Sequence, residues 1–182
     1  ISGSRIIQIV DGIIKNKSDK KISILDIGCG NGWMLRKIKD IYTNAYCLGV
    51  DGSSQMVSNA VKNDKKNSYI VANLNKWTPK KKFDIIISME VLYYLDNPQN
   101  FIKNIYNTFL KNGGVFVFGI DHYKENKSSI SWPQDLNVKM HTLATREWIN
   151  IVSDAGLRDI RTEQFNQSKD WGGTFIVSCI RK

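Results

Sequence analysis

The sequence predicts an α/β domain built on a doubly wound, mostly parallel sheet. Residues 24–32 read ILDIGCGNG, in which a short apolar run enters a glycine-rich turn. After Gly32 the apolar residues recur at helical spacing, so a strand passes through the turn into a helix. Residues 84–88 contain an unbroken isoleucine run, which is typical of a strand covered by helices on both faces. Strand and helix patterns alternate along the rest of the chain, as they do in such sheets.

Periodicity and turn residues mark the other elements. We expect strands at residues 22–27, 46–51, 69–73, 84–88, 115–120, 159–165 and 174–181. Helices are expected at residues 1–17, after Gly32, after a Ser53 or Ser54 cap, from Pro98 to a stop at Asn112-Gly113-Gly114, and at about 145–155. Residues 122–142 are a polar insertion, too long for a plain connector, and are expected to cover a binding site.

The residues around the glycine turn indicate the ligand. Asp26 precedes the first glycine by two positions, and a carboxylate there suits a positive amino group better than a phosphate. Trp33 stands where the dinucleotide fingerprint has its third glycine, which opposes an NAD-dependent oxidoreductase. Asp51 ends the second strand and can accept both ribose hydroxyls. Adenosine with free ribose hydroxyls, no phosphate and a cationic amino acid tail describes S-adenosylmethionine.

With these residues the chain resembles a known family. ILDIGCGNG is similar to the first motif of class I S-adenosylmethionine-dependent methyltransferases, and GVDGSSQMV at residues 49–57 is similar to their second. The resemblance continues through residues 69–77, 83–98 and 110–121 in the family's order. It implies a Rossmann-like, seven-stranded sheet of order 3-2-1-4-5-7-6 with strand 7 antiparallel, in a single domain over residues 1–182. It also implies S-adenosylmethionine as cofactor and S-adenosylhomocysteine as product.

The cofactor-binding residues are predicted from the same motifs. Asn73 stands where many relatives carry an aspartate, and its amide oxygen can still accept a hydrogen bond from the adenine amino group. Met56 and Leu74 are interpreted as walls for the adenine, with ordinary core packing as the alternative. The full predicted set is Asp26, Gly28, Cys29, Gly30, Gly32, Asp51, Gly52, Met56, Asn73, Leu74 and Met89.

Catalytic residues are marked less clearly, because methyl transfer mainly needs the reacting atoms to be aligned. Met89 and Glu90 end the fourth strand, beside the expected methyl group. Tyr93 follows them and is predicted to be catalytic through an aromatic face near the sulfonium, with helix packing as the alternative. His122 follows the fifth strand and is predicted to take a proton, with a solvated loop histidine as the alternative. The histidines and cysteines form no metal-ligand pattern, so no metal is expected.

Composition and charge bear on the partners. The net charge is +9, but most of the 26 basic residues are lysines, which share A/T-rich codons with the abundant asparagines and isoleucines. The expected acceptor is therefore a small molecule, and the alternatives are an RNA methyltransferase or a non-catalytic cofactor-binding partner protein. No run of 18 apolar residues indicates a membrane span.

The three cysteines have no pairing pattern, which favours a reducing cytoplasm. The chain begins at Ile1 without methionine and without a secretory signal pattern, so we expect a longer natural protein. The oligomeric state stays open.

Overall fold

A seven-stranded sheet organises the computed structural model, which describes residues 2–16 and 21–182. The strands are β1 (Ser23–Ile27), β2 (Tyr46–Asp51), β3 (Ser68–Val71), β4 (Phe83–Met89), β5 (Leu110–Ile120), β6 (Arg158–Phe165) and β7 (Thr174–Ile180). The helices are α1 (Ser2–Lys15), α2 (Trp33–Ile41), α3 (Ser54–Asn63), α4 (Pro98–Asn104), α5 (Trp132–Asp135) and α6 (Thr145–Asp154). In these two ranges no helix has the length and apolar character to cross a membrane.

The strand order is β3-β2-β1-β4-β5-β7-β6. β3, β2, β1, β4 and β5 run parallel to one another, and β7 runs antiparallel to both β5 and β6. The predicted fold class, strand order and antiparallel seventh strand are confirmed. The chain leaves β1 for β2 on one side and later returns to place β4 on the other side. At such a switch point the carboxyl ends of the strands open a crevice in which ligands bind.

Both faces of the central strands are buried, and β4 shows how the sequence achieves this. Ile86 points into the apolar cluster that contains Trp148 of α6, whereas Ile85 and Ile87 point into the cluster on the opposite face, with residues of α1 and α2. All three isoleucines are fully buried. Burial of each such side chain is worth about 1.5–3 kcal/mol, so the isoleucine run fixes β4 at the centre of the sheet.

Local signals place most helix ends. The Ser53 hydroxyl accepts a hydrogen bond from the Met56 amide at 3.3 Å, which satisfies one free donor at the start of α3. α6 is followed by Gly156 at φ +99°, as the glycine stop predicts. Of the predicted helix over residues 1–17, α1 spans Ser2–Lys15 and Asn16 lies in a turn, whereas residues 1 and 17 lie outside the described ranges.

Two predicted boundaries are wrong. The helix after Pro98 does not extend to Asn112-Gly113-Gly114: α4 is followed by a single π-helical turn, Ile105–Phe109, and β5 begins at Leu110. The physical reason is long-range pairing, because the Gly113 amide donates to the Arg181 carbonyl at 2.7 Å and the Arg181 amide to Gly114 at 2.9 Å. β3 also ends at Val71, earlier than predicted, which leaves Asn73 in the following turn.

Candidate active site

A cavity of about 550 Å³ lies at the carboxyl ends of β1, β2 and β4. Six predicted cofactor-binding residues line it: Gly28, Asp51, Gly52, Asn73, Leu74 and Met89. A larger hollow of about 940 Å³ lies near Ile22 and Ala45, where β1 and β2 begin. That hollow is at the opposite edge of the sheet from the glycine turn. The smaller cavity is therefore the candidate site.

The glycine turn is held in a conformation that side chains would disrupt. Gly28 has φ +73°, and a Cβ added there would lie 2.0 Å from Cγ2 of Val91. Gly30 has φ +52°, which side-chain-bearing residues rarely adopt. The amides of Gly28 and Cys29 both donate to the Val50 carbonyl, at 2.7 and 3.1 Å, which ties the turn to β2. Glycine at position 28 lets bare backbone border the cavity.

Asp26 is the most unusual group near the turn. It is 0% exposed, and neither of its carboxylate oxygens has a hydrogen-bond partner among the described residues. Burial, with a further contribution from the charge of Asp51, raises the pKa of Asp26 from 3.8 to about 8. A buried carboxylate without a partner is costly unless a ligand supplies a donor or a positive charge. Asp26 therefore fits the amino group of S-adenosylmethionine.

The Asp51 carboxylate joins two parts of the site. One oxygen accepts from the Gly30 amide at 2.8 Å, and the other accepts from the Ser53 amide at 2.8 Å. Each carboxylate oxygen can accept a further hydrogen bond, so Asp51 can still receive ribose hydroxyls on its cavity side. Sequence reasoning predicted the ribose role but missed this brace between the turn and α3.

The residues predicted to surround the adenine divide into two groups. Asn73 and Leu74 line the cavity directly after β3. The Asn73 side-chain oxygen accepts from the Asn75 amide at 3.0 Å, which orients it. Met56 is 45% exposed in the first turn of α3 and is not among the cavity-lining residues. Of the remaining predicted residues, Cys29, Gly30 and Gly32 belong to the turn behind the cavity lining.

Tyr93 is not among the lining residues of the cavity but is hydrogen-bonded to Glu90, which is, and its predicted catalytic role stays a prediction. Glu90 follows β4 at φ +59° and lines the cavity, and the Tyr93 hydroxyl donates to its Oε2 atom at 2.6 Å. The other oxygen, Oε1, is buried without a partner among the described residues. Burial, and then the charge of Asp121, raise the pKa of Glu90 to about 8. The sequence analysis placed Glu90 beside the methyl group without giving it a role; the available signal was an acidic residue directly after a buried strand that contains three consecutive isoleucines.

His122 is buried and both of its ring nitrogens are engaged. Nδ1 lies 2.9 Å from the Ser129 carbonyl, and Nε2 lies 2.8 Å from the Thr142 hydroxyl. Because a carbonyl only accepts, Nδ1 carries the proton and Nε2 accepts from Thr142. Burial lowers the pKa of His122, which favours this neutral form. The contacts support a structural role in closing the insertion, and the predicted catalytic role of His122 stays a prediction.

The insertion, residues 122–142, packs beside the cavity. The His141 amide donates to the Tyr93 carbonyl at 2.8 Å, which attaches the insertion to the turn after β4. The Trp132 ring stacks between His122 and Trp171, with centroid distances of 6.2 and 6.0 Å. None of the insertion residues is among the lining residues of the cavity. The insertion thus contacts the site through Tyr93, and its role as a cover stays a prediction.

Comparison with known proteins agrees with this geometry. Residues 4–162 match the model of the family described as methyltransferase domain. The chain is 28% identical over 150 residues to malonyl-[acyl-carrier protein] O-methyltransferase 2 of Ilyobacter polytropus, an alignment that covers 79% of the chain and 58% of that protein. It is 29% identical over 167 residues to the ubiquinone biosynthesis O-methyltransferase of Pelagibacter ubique, covering 86% of the chain and 69% of that protein.

Solved structures show the same fold. The S-adenosylmethionine-dependent methyltransferase from Mesorhizobium loti superposes with a TM-score of 0.76 at 21% identity, covering 96% of this chain and 98% of that one. The matched family model covers most of the chain, and the strand order and the glycine turn agree with it. The chain belongs to the class I S-adenosylmethionine-dependent methyltransferases.

Proposed function

We propose that the protein transfers the methyl group of S-adenosylmethionine to a small-molecule acceptor and releases S-adenosylhomocysteine. The observation that carries the proposal is Asp26, a fully buried carboxylate with two unpartnered oxygens, among the described residues, beside the glycine turn. A positive amino group would favour the charged form of this carboxylate, whereas a phosphate would bring no positive charge to it. The chain spans 58% of the length of the Ilyobacter relative, so the activity of the whole protein is part of the proposal.

The work of binding is divided between Asp26, which lies beside the glycine turn and is not itself a lining residue, and residues that line the cavity. Asp26 takes the amino group, Asp51 takes the ribose hydroxyls, and Asn73 accepts from the adenine amino group. When bound, the cofactor supplies a methyl carbon that its positive sulfur has already activated. The remaining task of the protein is to hold the acceptor in line, and orientation of this kind can contribute about 7–11 kcal/mol.

A small-molecule acceptor is supported by the shape and charge of the site. The volume of about 550 Å³ lies in the range of small-ligand sites. The lining residues contain no Lys, Arg or His in the described part of the chain, whereas an RNA substrate would be expected to meet basic side chains. Of the two relatives, the Pelagibacter protein is named for O-methylation in ubiquinone biosynthesis, which agrees with a small-molecule acceptor, whereas the Ilyobacter protein is named for malonyl-[acyl-carrier protein], an acceptor bound to a carrier.

Two measurements test this function. Calorimetry should show binding of S-adenosylhomocysteine and no binding of NAD, and Asp26→Asn should weaken the first without creating the second. The protein is then incubated with methyl-labelled S-adenosylmethionine and either a protein-free bacterial small-molecule extract or bulk RNA. Label should enter the small-molecule fraction. Preferential labelling of RNA would contradict the acceptor class, and bound S-adenosylhomocysteine without any labelled product would favour a non-catalytic partner protein.

A further inference from the structure

The cavity contains one charged group that the cofactor contacts above leave unused. Asp26 on β1 and Asp51 on β2 are assigned to the amino group and the ribose. Glu90 follows β4, which pairs with β1 on the side away from β2. It lines the cavity, and its carboxylate has one oxygen engaged and one oxygen, Oε1, buried without a partner among the described residues.

We propose that Glu90 is the general base of the reaction, held in place by Tyr93, and that the acceptor carries a proton on its nucleophilic oxygen or nitrogen. This inference rests on the proposed function. In the transfer step the acceptor O–H or N–H bond breaks and its proton moves to Glu90 Oε1. The freed electron pair forms a bond to the methyl carbon as the carbon–sulfur bond breaks and its electrons remain on sulfur. Glu90 then returns the proton to water.

The surroundings of Glu90 suit a base. Asp121, the first residue after β5, also has a buried oxygen without a described partner, and its negative charge raises the pKa of Glu90. The hydrogen bond from Tyr93 lowers that pKa, and burial makes the largest contribution, so the pKa reaches about 8. Such a value makes the carboxylate a stronger base than a solvated glutamate while a useful fraction stays ionised near neutral pH. Asp51 is the other acidic group of the cavity lining.

The same charges oppose a carboxylate acceptor. Asp51 and Glu90 line the cavity, and no Lys, Arg or His lines it in the described ranges to offset a third negative charge. Like charges brought together in a site of low polarity disfavour ionisation. A carboxylate acceptor also needs no base, because its nucleophile arrives deprotonated. The site is therefore built for a hydroxyl or an amine, and a product that is a methyl ester does not fit it.

Tyr93 is a positioning residue, and its hydrogen bond changes the pKa of Glu90 in a predictable direction. In Tyr93→Phe the ring remains and the hydrogen bond to Glu90 is lost, so the pKa of Glu90 should rise. In Asp121→Asn the repulsive charge is lost, so the pKa of Glu90 should fall. The acid limb of the rate profile should move to higher pH in the first variant and to lower pH in the second. Tyr106→Phe, whose ring lies under Arg181 outside the cavity, is the matched tyrosine control.

The test uses the full chain with methyl-labelled S-adenosylmethionine and the protein-free small-molecule extract. Alkali releases label from methyl esters as methanol, whereas methyl ethers and methylamines keep it. We expect alkali-stable label, a loss of rate of about 100-fold or more in Glu90→Gln, and an unchanged dissociation constant for S-adenosylhomocysteine. The opposite shifts of Tyr93→Phe and Asp121→Asn should accompany this result.

Three outcomes would overturn the inference: alkali-labile label, full activity of Glu90→Gln, or rate profiles that do not move in opposite directions. Each of these leaves the methyltransferase function standing. Bound S-adenosylhomocysteine with no labelled product would instead remove both the function and this inference, so the two failures are distinguishable.

Discussion

Replacing Asp26 with asparagine should stabilise the ligand-free protein and weaken cofactor binding at the same time. The folded protein raises the pKa of Asp26 from 3.8 to about 8, so between these values the folded state holds a proton that the unfolded state has lost. The free energy of unfolding therefore falls as pH rises through this window, by about 1.4 kcal/mol per pH unit. An asparagine side chain does not titrate, so this loss disappears in the Asp26→Asn variant.

The magnitude follows from the width of the window. From pH 5 to pH 8 the stability of the variant relative to the natural chain should increase by roughly 4 kcal/mol. Urea unfolding of both proteins at pH 5, 6.5 and 8 measures this difference in the free energy of unfolding. Burying an amide in place of a carboxyl group adds a cost that does not depend on pH, so this cost cancels when the difference at pH 5 is subtracted from that at pH 8. Glu90 titrates in both proteins and cancels in the difference. Stability curves that run parallel between pH 5 and 8 would refute the reasoning.

Calorimetry on the same variant measures the second expected effect, the loss of ligand affinity. S-adenosylhomocysteine should bind more weakly by about 1.5–3 kcal/mol, because a charge-assisted hydrogen bond to its amino group is lost. A variant that is more stable at pH 8 yet binds its ligand less well identifies Asp26 as a group kept for binding at the expense of stability.

Three further predictions follow from the site. Asp51→Ala should lower both S-adenosylhomocysteine affinity and stability, the latter by about 1–3 kcal/mol, because the carboxylate also accepts from Gly30 and Ser53; calorimetry and urea unfolding measure the two effects, and unchanged stability would exclude the brace. Gly28→Ala should destabilise by at least about 1–3 kcal/mol, since φ is +73° and the new Cβ would meet Val91; an equal melting temperature would contradict this. Replacing residues 131–139 with a short Gly/Ser linker should preserve S-adenosylhomocysteine affinity and reduce turnover, and full turnover would show that the insertion does not affect the acceptor.

The cofactor half of the site could be predicted because its signals are local. Asp26, the glycines and Asp51 lie at the ends of consecutive strands, and the chemistry of those few residues restricts the ligand. Strand order followed from the family resemblance. The prediction failed at Leu110, where pairing with the distant Arg181 strand end outweighs the helix stop that the glycines suggest.

The acceptor half could not be predicted in the same way, because its geometry depends on contacts between distant segments. Nothing in the sequence near His122 shows that Thr142 and Ser129 will occupy its two nitrogens. The pairing of Tyr93 with Glu90 needs the left-handed backbone at Glu90, which a non-glycine residue rarely adopts. Met56 was predicted from the second motif, and the structure leaves it 45% exposed and outside the cavity lining.

The residues assigned to the cofactor and those assigned to the acceptor are held by different strands of the sheet. This separation affects which of the two ligands a substitution can alter. The Asp51 brace depends on β1, β2 and the start of α3. Glu90, Tyr93 and the aromatic stack from His122 to Trp171 depend on β4, β5 and the loop before β7. Substitutions in the second group can alter which acceptor is used while the cofactor contacts stay intact. A chain of this kind can therefore acquire a new acceptor by changing its insertion and the end of β4, with its affinity for S-adenosylmethionine inherited unchanged.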